Sequence, residues 1–241
     1  MNLPFARRGS VRAVVGRASG PLDFGATDTH GGRVTPSPSP QGGCSKQLGL
    51  RSRLRTATAE VHRSLEARLD LLSPQLSLER YQRLLLGFHG YYAAIEPRLV
   101  GLARKTRVSL PIVARAGLLE QDLLSLGMRA EAIAGAPRCA DLPALLDREH
   151  LAGCLYVLEG SRLGARVIAR FVEEHLGLTR LRGCSFFADE GQETSRRWTE
   201  VLRWLEGHAD EASVDQRQIV SSAAETFRSL ERWLSASGVL V

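Results

Sequence analysis

Leu54-Arg55-Thr56-Ala57-Thr58-Ala59-Glu60-Val61-His62-Arg63-Ser64-Leu65-Glu66 is the stretch on which the reading of this chain turns. Leu54, Val61 and Leu65, continued by Leu69 and Leu72, recur at the spacing of one apolar stripe on an α-helix. On such a helix Arg55, Thr58, His62 and Glu66 share a second face that flanks the stripe. A carboxylate one turn after an imidazole can accept its second N–H, which is how metal-bound histidines are usually held. The same four residues equally make an ordinary solvated face with one i,i+4 contact. The stretch settles a helix and leaves its chemistry open.

Helical spacing continues to the end of the chain. The first helix runs from about Gln47 and is expected to stop at Ser73-Pro74. Ser77 opens a long helix through Tyr81, Leu84, Leu85, Phe88, Tyr91, Tyr92, Ile95 and Leu99, with Pro97 as a candidate kink. Pro111 to Leu126 reads as a helix closed by Gly127. Asp141 is placed to cap a segment that starts at Pro143 and runs on to His175, before Gly177. Glu193 to Leu205 and Val214 to Leu234 give two more amphipathic helices. Trp198, Leu202 and Leu205 mark the inner face of the first, and Ile219, Ala223, Phe227, Leu230 and Leu234 that of the second. The only strand-like run, RVSLPIV, is broken by proline. The expectation is an all-α fold in a single multihelical domain, with no internal repeat.

Before that domain the composition changes. Residues 1–45 are rich in Gly, Ser, Pro and Arg and close on TPSPSPQGG, so they cannot bury enough apolar surface to offset ordering. We expect a disordered basic tail at 1–45 and the helical domain at 46–241. The Arg-rich, acid-poor start has some likeness to an organelle transit peptide, but a plain tail is the preferred reading. Of the formal charge of +6, most belongs to residues 1–50, where six basic residues face two acidic ones. The remaining charge is weak support for a nucleic-acid-binding body. No apolar run approaches the roughly 20 residues of a membrane span. The four cysteines form no CxxC pair and no metal-like spacing, which favours a reducing, cytoplasmic setting with Cys154 packed as a small apolar residue.

Six histidines could carry chemistry. His30 falls in the tail, His175 and His208 sit near helix C-termini, and His150 follows Glu149 on an expected half-exposed turn. His89 lies on an apolar face as an expected core histidine, which leaves His62. A second constellation is Glu159-Gly160-Ser161-Arg162-Leu163-Gly164-Ala165. Two glycines four apart in a helix cost about 1 kcal/mol each relative to alanine. They bare two patches of backbone on one face, which suits close helix packing or the approach of a flat ligand. A ferritin-like di-iron site is excluded, because no histidine has Glu three residues before it. GxGxxG, a phosphate-binding glycine loop and a nucleophile elbow are absent too, so the sequence shows no nicotinamide or flavin site.

Taken together, LRTATAEVHRSLEA, FHGYYAAIEP and LYVLEGSRLGARVIAR resemble the proximal segment, second helix and distal helix of the heme oxygenases. The wording is nearest the bacterial biliverdin-producing branch found beside bacteriophytochromes, and it covers roughly residues 48 to 236. The resemblance implies that His62 is the proximal ligand to heme iron, with Glu66 as its acceptor. It places Arg55 towards a propionate, Thr58 on the heme-facing side of the same helix, and Arg196 or Arg197 at the other propionate. Gly160 and Gly164 become the distal glycines that face dioxygen. Ser161 stands where many members carry an aspartate that orders water, and Ala165 where a second glycine is usual. The function implied is oxidative cleavage of heme, at once cofactor and substrate, to biliverdin, carbon monoxide and ferrous iron. Electrons would come from an external ferredoxin or flavoprotein reductase, with a bacteriophytochrome as product acceptor. The alternative is a non-catalytic heme carrier or sensor on the same fold.

Overall fold

Leu50, Leu54, Thr58, Leu65 and Leu69 are the buried residues of the first helix, α1 (Leu50–Leu69), so the apolar stripe forms where its spacing predicts. A computed structural model of the chain describes residues 49–109, 114–188 and 191–241. The expected tail and its boundary at 45/46 lie outside the described residues. Among these residues the chain is all-α, with isolated bridges around Thr179 in place of strands.

α1 stops earlier than Ser73-Pro74. Asp70 turns into the left-handed region at φ 48° and donates its N–H to the Glu66 carbonyl, so Leu72 falls beyond the helix and is exposed. α2 (Leu78–Thr106) begins on Ser77, whose hydroxyl accepts from the Arg80 N–H at 3.2 Å, and it runs on through Pro97. α3 spans Ala116–Ser125, and the first residues of the expected helix, 111–113, lie outside the described residues. Its N-terminus is capped from a distance: the Glu96 carboxylate of α2 accepts from the Arg115 N–H at 2.6 Å and the Ala116 N–H at 3.1 Å. A short α4 (Ala130–Ala134), which periodicity does not reveal, follows.

The segment expected to begin at Pro143 stays irregular until α5 (Arg148–Gly160). The cap is Asp147, which accepts from the His150 N–H at 3.0 Å, and His150 therefore sits in the first turn of a helix. Asp141 is occupied elsewhere: its carbonyl accepts from Ser229 and its carboxylate pairs with Arg232 at 2.8 Å. After α5 come a 3₁₀ turn (Ser161–Gly164) and α6 (Ala165–Leu176), then a loop to α7 (Gln192–Ala209) and α8 (Gln216–Ala236).

α8 is the spine of the bundle, with α5 along one side and α1 along another, while α7 packs against both α5 and α1. Gly153 makes the α5–α8 approach possible. A Cβ there would lie 2.5 Å from the Ile219 carbonyl oxygen and 2.6 Å from the Ala223 nitrogen, both backbone atoms. This pairing sets the width of the gap between α1 and the end of α5. His89 is a core residue as expected, buried with its Nδ1 2.9 Å from an Arg138 nitrogen. Cys139, Cys154 and Cys184 are free and buried, and burial pushes the Cys154 thiol up to about 12 and that of Cys184 to about 11.

Candidate functional site

Between α1 and the end of α5 lies a cavity of about 560 Å³, within the size range of ligand pockets. α1 contributes Arg55, Thr58, His62 and Arg63 to one wall. The opposite wall carries Tyr156, Val157, Gly160 and Ser161, and Trp198 of α7 and Phe227 of α8 close the sides. A second, smaller lobe of about 100 Å³ continues inward. His62, Val157, Ser161 and Phe227 line both lobes. Glu66, Gly164 and Ala165 line the inner one.

His62 is held on two sides. Its Nδ1 is 3.5 Å from Glu66 Oε2, and its ring meets the Phe227 ring edge-on at 5.3 Å. Burial lowers the histidine pKa and raises that of Glu66, so the imidazole is kept neutral. A neutral ring with Nδ1 turned to a carboxylate keeps its proton on Nδ1, so that Nε2 is the nitrogen that carries the lone pair. Thr58 is buried and its hydroxyl donates to the Leu54 carbonyl at 2.8 Å, so it is satisfied within its own helix.

The facing wall is irregular where the two glycines stand. At Ser161 the α-helix tightens into the 3₁₀ turn, and the Ser161 hydroxyl donates to the Leu158 carbonyl at 2.9 Å. One expected helix thus becomes α5, a tight turn and α6, with bare backbone at the junction. A Cβ on Gly160 would stand 3.2 Å from the Trp198 ring, so the missing side chain is what lets the indole reach the cavity wall. Below the turn Glu159 and Arg162 form a buried ion pair at 3.1 Å.

Arg196 and Arg197 stand apart from this wall. Arg196 is exposed and bridges Glu193 and Glu200, each at 2.6 Å, on a separate depression with Arg166 and Arg203. Arg197 is half-buried beside Trp198 and donates to Glu193 at 2.7 Å. The two arginines pull the Glu193 carboxyl down to about 2.

Comparison with known proteins identifies the family and the fold that carry this cavity. A model described as heme oxygenase matches residues 48–236. The chain belongs to the heme oxygenase family. A heme oxygenase of Xanthomonas campestris pv. campestris (strain 8004) is 33% identical over 126 residues, spanning 52% of this chain and 68% of that protein. The NO- and CO-bound heme oxygenase of Neisseria meningitidis superposes with a TM-score of 0.64 at 21% identity, over 81% of this chain and 94% of that one. Heme oxygenase-2 of Synechocystis sp. PCC 6803, in complex with heme and NO, gives 0.59 at 16% identity, over 79% and 85%. Membership carries a heme-degrading activity in the general sense. Among the described residues no helix is long and apolar enough to cross a membrane.

Within this member of the heme oxygenase family, several cavity residues escape a sequence reading. Tyr156 lies one helical turn before Gly160 and so on the same face, a spacing that could have exposed it. Burial pushes its phenol up, against the charges of Arg51 and Arg55 on α1. Arg115 and Phe186 reach the inner lobe from elements that carry no motif.

Proposed function

We propose that the chain cleaves heme to biliverdin, carbon monoxide and ferrous iron, with dioxygen and electrons from a separate donor such as a ferredoxin or a flavoprotein reductase. The observation that carries this reading is His62, neutral and turned to Glu66, on the wall of a cavity whose opposite side is the backbone of Gly160 and Ser161. Heme, when bound, supplies the iron, the redox chemistry and the carbon framework that is cut.

The chain's own residues do the rest. His62 would hold the heme iron through its ring nitrogen, and Glu66 would fix the tautomer and the direction of the imidazole. Arg55 and Arg63, lining the outer lobe, suit the carboxylate groups of the ligand. Gly160 and Gly164 leave space over the ring. Ser161 offers a hydroxyl that can order water, and Phe186, Phe187 and Phe88 keep bulk solvent from the inner lobe. A bacteriophytochrome is a fitting acceptor for the product. The free buried thiols suit a reducing, cytoplasmic compartment.

Hemin titration of the purified full chain tests the reading. Wild type is expected to shift the Soret band at one equivalent, and His62→Ala to weaken binding by about a hundredfold or more. An unchanged titration in His62→Ala would sink the ligand assignment. Reduction in air should then give biliverdin absorption; heme uptake with no biliverdin would leave the carrier reading standing.

A further inference from the structure

Arg115 is a buried cation on the wall of the inner lobe, just ahead of α3. Its guanidinium lies 4.1 Å from the centre of the Phe186 ring and 5.7 Å from that of Tyr92, and it donates to the Phe186 carbonyl. Phe186 is fixed in turn, its N–H donating to the buried Asp122 carboxylate at 2.8 Å. The cation is therefore held by stacking and by backbone rather than by an acid.

The nearby carboxylates are committed elsewhere. Glu96 accepts backbone N–H groups at the start of α3, and Glu159 pairs with Arg162. Glu66, on the same lobe, is turned to His62. Among the described residues no carboxylate stands within ion-pair distance of the Arg115 guanidinium. A buried guanidinium has five N–H donors, and one carbonyl leaves donor capacity over. Besides Glu96, Glu159 and the Arg162 that pairs with it, the polar groups around it are the neutral hydroxyls of Tyr92 and Ser161, and burial pushes the Tyr92 phenol further from ionising. At about 100 Å³ the lobe has room for a small ligand or a few waters, not for a second planar group.

We propose that Arg115 is a specificity-determining cation of the inner lobe, which selects small anionic ligands of the bound heme over neutral ligands of similar size. The inference rests on the heme reading above. A preorganised charge in a water-poor chamber stabilises negative charge without reorganising when that charge appears. Dioxygen is neutral on entry and gains negative charge as it takes electrons, so the same cation favours the reaction over passive gas binding.

The test compares azide binding to the ferric protein with carbon monoxide binding to the ferrous protein, in the hemin-loaded full chain. Loss of one charge-assisted hydrogen bond should weaken azide in Arg115→Met by about tenfold to a hundredfold. Carbon monoxide affinity should change by less than about threefold. Arg115→Lys, which keeps the charge, should recover most of the azide affinity. Azide unchanged in Arg115→Met, or azide and carbon monoxide weakened together, would make Arg115 a packing residue and overturn the proposal. If the Met variant does not melt as a folded protein, Arg115→Gln supplies the neutral comparison, and failure of both to fold overturns it as well. A wild type that takes up no hemin sinks the heme reading itself; hemin uptake with an unaltered azide-to-carbon-monoxide ratio sinks only this inference.

Discussion

α1 and α5 face each other across the same cavity and are built by opposite means. α1 offers side chains at helical spacing, Arg55, Thr58, His62 and Glu66, over a continuous buried stripe. α5 offers absences: Gly153 lets α8 approach on one side and Gly160 lets Trp198 approach on the other, before the helix tightens at Ser161. One wall is specified by which residues are present, the other by where Cβ atoms are missing. The two should therefore fail differently. A change on α1 should alter chemistry and spare the fold, and a methyl group added at Gly153 of α5 should do the reverse.

The strongest way to break the contrast is Gly153→Ala. Its Cβ would meet backbone atoms of α8 at 2.5 and 2.6 Å, and backbone cannot give as a flexible side chain can. Overpacking of this kind costs about 3 kcal/mol, or roughly 6–12 °C in Tm for a domain of this size. Gly160→Ala meets only the Trp198 ring, at 3.2 Å, and should cost about 1 kcal/mol or less. Thermal melts by circular dichroism separate the two. Equal losses would show that α5 has one kind of glycine, not two.

The proximal wall can be sharpened by pH. Burial lowers the His62 pKa below its ordinary 6.5. Between that lowered value and 6.5 the unfolded chain binds a proton that the folded chain does not, so stability rises with pH across this window and is lost as pH falls through it. Glu66 is shifted the other way, up from 4.5, so burial narrows the interval in which both groups could be charged. NMR titration of the His62 imidazole in heme-free protein should give a midpoint below 6.5. A midpoint above 6.5 would mean that attraction to Glu66 outweighs burial, and that the ring enters the site charged.

The same contrast explains what a sequence reading reaches. α1 is legible because its packing and its site both follow one period of 3.6 residues, so His62 and Glu66 fall on one face by arithmetic. The glycines of the facing wall are visible as letters, but their break into a 3₁₀ turn is not, since either packing or ligand approach would write the same pattern. Asp141 and Asp147 look alike as caps; contact of Asp141 with Ser229 and Arg232 of α8 decides between them. The part of the inner lobe formed by Arg115 and Phe186 was hidden. Arg115 is placed by Glu96, 19 residues away, and Phe186 by Asp122, 64 residues away, and neither separation has a local signature.

The smallest effect tests how far charge on α7 shares the work of charge on α1. Arg55 stands on the cavity wall, whereas Arg196 is drawn outward between Glu193 and Glu200. Arg55→Ala should weaken hemin binding several-fold by removing a cation beside the ligand's carboxylates, and more so at low salt. Arg196→Ala should change it by no more than about twofold, because an exposed ion pair contributes little and its carboxylates stay solvated. Hemin titrations of both variants at two salt concentrations decide the matter. Equal losses would bring α7 into the ligand-holding wall and would require Arg196 to leave its glutamates when heme binds; a loss confined to Arg55 leaves that role with the helix whose spacing first pointed to it.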